Sequence, residues 1–136
     1  MKKYLIILIL LFSGFVMKAQ DNDDSKADKI RDRMSSYIQE KLGLSKDEAD
    51  KFTPVFVRYF REFRQTHHDY KEDKLILKQK IIDLRIRYRT EFRTIMSEQK
   101  ANKVYVVEDQ FRKEAIDIIQ RQRDRVEQAG QRKNLQ

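Results

Sequence analysis

The sequence predicts an all-α protein, four helices built around a long antiparallel helical hairpin that is kinked at Pro54. Three observations carry this. The 136-residue chain holds three glycines (Gly14, Gly43, Gly130) and one proline, too little turn punctuation for a many-stranded sandwich or barrel. Its apolar residues recur at steps of three and four over long windows, the period of an amphipathic helix. Ser45 and Ser97 each open such a window in the manner of an N-cap. At this length one domain is expected.

Composition also narrows the function. Having no cysteine rules out disulfides, thiolate metal sites, a cysteine nucleophile and a lipobox anchor. Gly43 is the single glycine between residues 15 and 129, so a phosphate-cradling loop has no material.

The chain begins with an expected export signal. Lys2 and Lys3 precede an apolar run of 14 residues, Tyr4 to Met17, and Ala19 offers a small residue at the break before an acidic stretch. A membrane-spanning anchor needs roughly 18 or more apolar residues, which this run does not reach. The expected organisation is a signal peptide over 1–19, a polar lead-in over 20–26, a helical domain over 27–120, and a fraying helix end with a disordered tail over 121–136. The expected location is the periplasm. Cleavage removes three lysines, so a net charge of +8 becomes +5, with 27 basic against 22 acidic residues. Much of that surplus sits in 74–93, where seven basic side chains face Asp83 and Glu91. An exported protein meets little nucleic acid, so acidic unfolded protein or an anionic membrane surface is the expected counterpart.

The elements follow in order. Ser25, with Asp28 three residues on, resembles a cap, and Ile30, Met34, Tyr37, Ile38 and Leu42 form the stripe of the first helix. Gly43 closes it, because glycine tolerates the left-handed conformation of a final turn. Ser45 and Glu48 then form a capping box, with Leu44 placed to staple onto Ala49. In the second helix Ala49, Phe52, Phe56, Tyr59, Phe60, Phe63 and Tyr70 share an arc of about 100°. Pro54 lacks an N–H and crowds the preceding turn, which predicts a kink near Thr53. A reversal within 66–73 is expected on energetic grounds alone, since a continuous helix would leave the aromatic stripe uncovered. The third helix, 74–95, carries Leu77, Ile81, Leu84, Tyr88, Phe92 and Ile95 on one face. Leu75, Ile82 and Ile86 lie about a quarter turn away, among Lys78, Arg85, Arg89 and Arg93. Two readings of this second face stand open: cover by another helix of the same chain, or a surface for a second subunit or client chain that joins apolar grip to basic steering. Ser97 caps the fourth helix, whose inward stripe is Ala101, Val104, Val107, Phe111, Ala115 and Ile118.

Chemistry is sparse. His67 and His68, with Asp69 and Glu72, are the sole candidates for a metal site, and a polar turn is the favoured reading over zinc, which wants three or four convergent ligands. No cofactor is expected. No spacing implies a triad or an acid-base pair, so the expectation is a non-enzyme.

Leu44-Ser45-Lys46-Asp47-Glu48 and Met96-Ser97-Glu98-Gln99-Lys100 resemble the two Leu-Thr-x-x-Gln elements of the Spy/CpxP family of periplasmic proteins, in the variant found among Bacteroidetes-type exported proteins. Serine stands in place of threonine in both, Met96 in place of leucine, and Glu48 and Lys100 in place of glutamine. The resemblance covers roughly 27–120. It implies a helical hairpin, usually a cradle-shaped homodimer, acting as an ATP-independent chaperone or an envelope-stress or metal sensor. The leading expectation is an exported chaperone that binds unfolded or damaged envelope proteins through Leu75, Lys78, Ile82, Arg85, Ile86, Arg89 and Arg93, with Phe56, Phe60 and Phe63 as core or cradle lining. The alternatives are a periplasmic sensor tied to sigma-factor or metal signalling through a membrane-bound regulator, and peripheral contact with a membrane surface.

Overall fold

A computed structural model describes residues 23–134, with side chains to 132. The expected export signal and residues 20–22 of the lead-in lie outside the described residues. The described chain is all-α and consists of four helices: α1 over 23–42, α2 Lys46–Asp69, α3 Lys74–Ile95 and α4 Glu98–Asn134. The first helix is already formed at residue 23, two residues before the expected cap at Ser25.

Two units divide at Arg33. In the first, Arg31 bridges Asp28 and Asp32, both at 2.8 Å. The second begins at Met34 and holds the core. Gly43 ends α1 with φ +59°, and Leu44 N–H reaches back to Gln39 O at 3.0 Å, the closure that a left-handed glycine permits. Ser45 and Glu48 form the expected capping box at the start of α2. The helix runs unbroken through Pro54 to Asp69, so its aromatic face is continuous. Its reversal occupies 70–73. There Asp73 caps α3, accepting from the N–H groups of Leu75 and Ile76 at 3.1 Å each.

Antiparallel pairing of α2 and α3 shows in two cross-links, Arg58 with Glu91 at 2.7 Å and Glu62 with Arg87. Between them the aromatic stripe closes: Phe52 packs on Phe92 at 5.2 Å and Tyr59 on Tyr88 at 5.4 Å between ring centres. From α4, Tyr105 meets Tyr59 at 5.5 Å, and Ala101, Val104 and Val107 complete the core. Met34 and Ile38 of α1 are buried, while the Tyr37 hydroxyl donates to Glu114 at 2.8 Å.

The stripes hold at their centres and fail at their ends. Tyr70, expected on the buried face of the second helix, instead sits in the turn under the Lys80 ammonium, 5.6 Å from its ring centre. Ile118, expected to point inward, is exposed. The span 121–134 continues α4 as helix. Its run of Arg, Gln, Glu and Ala favours helix, and Gly130 costs only about 1 kcal/mol there.

Candidate functional site

Four large aliphatic side chains of α3 stay in solvent, Ile76 among them, and the three of the second face are the most open: Leu75 is 77% exposed, Ile82 56% and Ile86 50%. Of the two open readings of this face, cover by another helix of the same chain is therefore not realised among the described residues. Lys78 lies exposed beside them, and Arg89 is half-buried with no hydrogen bond or ion pair to a described residue.

The basic half of the strip is less free than its sequence suggests. Arg85 is drawn against α4, where its guanidinium donates to Asp109 at 2.7 Å and to Glu108 at 3.3 Å, and lies over the Tyr105 ring at 5.1 Å. Burial opposes its charge, but the Asp109 hydrogen bond and the Glu108 carboxylate outweigh it, so its pKa is raised. Arg93 is likewise engaged, by Asn102 at 3.1 Å and Glu98 at 3.2 Å. Free positive charge on this face thus comes down to Lys78 and Arg89. Phe56, Phe60 and Phe63 take the core alternative of their expected role, since all three are buried.

Glu108, which the sequence reading passed over, is the centre of the buried polar structure. It is fully buried, accepts from the Tyr59 hydroxyl at 2.7 Å, and is held by Arg112 at 2.9 Å as well as by Arg85. Arg112 in turn lies over Phe63 at 4.3 Å. A signal was present: Glu108 stands four residues after Val104 and three before Phe111, a carboxylate inside an apolar stripe. Beside this cluster the Tyr105 hydroxyl is buried without a hydrogen-bond partner among the described residues, and burial raises its pKa.

A narrow cleft of about 100 Å³ separates Ile82 and Ile86 from Tyr105, with Arg85 and Arg89 at its edges. A larger one, about 630 Å³, adjoins it at Ile82 and Arg85 and runs towards the α2–α3 turn.

The histidines diverge, as two adjacent helical positions must. His67 packs on Phe63 at 4.6 Å, and burial followed by the Arg112 charge lowers its pKa. His68 turns outward to Asp69 at 3.2 Å. Among the described residues no three histidine or acidic side chains converge as metal ligands. None of the described helices is long and apolar enough to cross a membrane.

The two serine elements meet. Lys100 donates from Nζ to Glu48 Oε2 at 2.9 Å and to the Gly43 carbonyl at 3.1 Å, so the fifth residue of each element touches the other. Ser97 caps as expected, accepting from Lys100 N–H at 3.3 Å, with Met96 buried before it. Comparison of the chain with protein-family models, with curated proteins and with solved structures gives no match.

Proposed function

We propose that this protein is an exported, ATP-independent chaperone that holds unfolded or damaged envelope proteins on the outer face of α3, without catalytic turnover. The observation that carries the reading is the exposure of Leu75, Ile82 and Ile86 on α3 beside Lys78 and Arg89. Burying such aliphatic groups against a client gains free energy in proportion to the apolar area covered, at about 25 cal/mol per Å². Cations beside them speed encounter with acidic chains and add little lasting grip, so release stays possible. Export rests on the basic start and apolar run of residues 2–17. The Glu48–Lys100 contact gives added support, because it joins the two elements on which the Spy/CpxP resemblance stands.

The test is suppression of aggregation of a denatured acidic client by the protein and by its Ile82→Asp/Ile86→Asp variant. Both positions are half exposed, so the variant is expected to keep its helicity and melting temperature. Protection is expected to require about tenfold more protein, the equivalent of about 1.4 kcal/mol of lost contact. Unchanged protection by a folded variant sinks the reading.

A further inference from the structure

The cleft beside the α2–α3 turn is shaped for a small molecule. Its volume is about 630 Å³, inside the roughly 300 to 1,000 Å³ range of small-ligand sites. Its floor is Leu77, Ile81 and Ile82, and its turn end carries Lys71, Lys74 and Lys78. These three ammonium groups make no hydrogen bond or ion pair with a described residue. No acidic side chain lines the cleft. Of the carboxylates nearest along the chain, Asp73 caps α3, Asp69 accepts from Gln65 at 2.7 Å, and Glu72 stands exposed in the turn outside the lining of the cleft.

The far end is different in kind. Arg85 closes it, but that guanidinium is neutralised by Asp109 and Glu108. His67 forms a wall, its ring packed at a tilt against Phe63. The cleft therefore has a polarity, with cations that ion-pair with no described carboxylate at the turn end and the apolar side chains of Leu77, Ile81 and Ile82 leading away from it. From Lys74 to Arg85 the helix rises about 16 Å, enough to lay out a medium-length acyl chain.

We propose that this cleft binds a single-chain anionic amphiphile of the fatty-acid class, its carboxylate among Lys71, Lys74 and Lys78 and its acyl chain along Leu77, Ile81 and Ile82. An inorganic anion would leave the apolar floor unused. A peptide would bring backbone N–H and C=O groups to a floor with nothing to hydrogen-bond them, at a desolvation cost. An acyl carboxylate satisfies both ends at once. The inference goes beyond the chaperone reading and does not rest on it.

Calorimetric titration of the protein with dodecanoate, kept below its micellar concentration, tests this. One saturable site per chain is expected, with about tenfold or greater loss of affinity for dodecyltrimethylammonium, which has the same tail and the opposite head. The Lys71→Ala/Lys74→Ala variant, altered only at exposed positions, is expected to keep its melting temperature and to bind dodecanoate about tenfold more weakly. Leu77→Gln is expected to weaken dodecanoate further while leaving the head-group preference intact. Absence of saturation, equal binding of both heads, unchanged affinity in the lysine variant, or binding to phosphatidylglycerol vesicles without binding to dodecanoate overturns the proposal. The two proposals fail separately: the lysine pair lies outside the strip probed by Ile82→Asp/Ile86→Asp, and the aggregation assay contains no amphiphile.

Discussion

Glu108 faces two guanidinium groups and a phenol in a place that water does not reach. Each partner depends on it differently. Without its carboxylate, Arg112 keeps only the Phe63 ring, Arg85 keeps Asp109, and the Tyr59 hydroxyl loses its acceptor. Removing one member of a buried charge cluster strands the others, which costs about 3 kcal/mol or more. Glu108→Ala is therefore expected to lower the melting temperature by roughly 10 to 15 °C, and Glu108→Gln by less, because the amide oxygen still accepts. A scan showing both variants within a couple of degrees of the parent contradicts this account. The same residue shows where sequence reading stops. Its position in the α4 stripe was visible, but its partners come from α2 and α3, and which cations turn inward is decided by packing between helices. Arg85 could not be told from Arg89 for the same reason, since the two share a face and a spacing, and only Asp109 and Glu108 across the interface distinguish them.

At the level of the element, what could be read locally was read well. Gly43, Ser45 and Ser97 act within a few residues of themselves, and each makes the contact its neighbours predict. Asp73 was equally local, an N-cap directly before Lys74, and it places the reversal that the energetic argument left anywhere in 66–73. The joining of α2 to α4 through Glu48 and Lys100 was not legible, because it spans 52 residues. This contact has a pH signature. The Lys100 hydrogen bond holds the Glu48 carboxyl below its ordinary 4.5. A group whose folded pKa is lowered contributes stability above its unfolded value and loses it as pH falls through the folded value. Glu48→Gln keeps an acceptor for the Ser45 N–H but carries no charge. The variant should be less stable than the parent at pH 7 in urea unfolding, and the gap should close as pH drops below about 4.5. A gap of constant size down to pH 3 would show that the ion pair contributes nothing.

Across the whole molecule, stability is unevenly distributed along α4. The helix has 37 residues and α3 has 22, so at 1.5 Å per residue it is about 55 Å long against about 33 Å. Its first turns are anchored by Ala101, Val104, Val107 and Glu108, all buried. From Ile118 to Arg132 every side chain is exposed, including Ile119 at 49% and Val126 at 74%. Helical propensity alone barely sustains a segment of this length, because in water an isolated helix shorter than about 12 to 15 residues is marginal. Local opening should therefore be cheap at the far end and should approach the global unfolding free energy near Val104. Amide hydrogen exchange is expected to show slow exchange over 101–108, matching 52–63 and 84–92, and a steep rise beyond residue 118. Uniform slow exchange to residue 132 would reverse the inference. It would mean that Ile116, Ile119 and Val126 are covered in solution, as a homodimer would cover them. Repeating the measurement across a range of protein concentrations then decides the matter, since cover by a second copy weakens on dilution and cover within one chain does not.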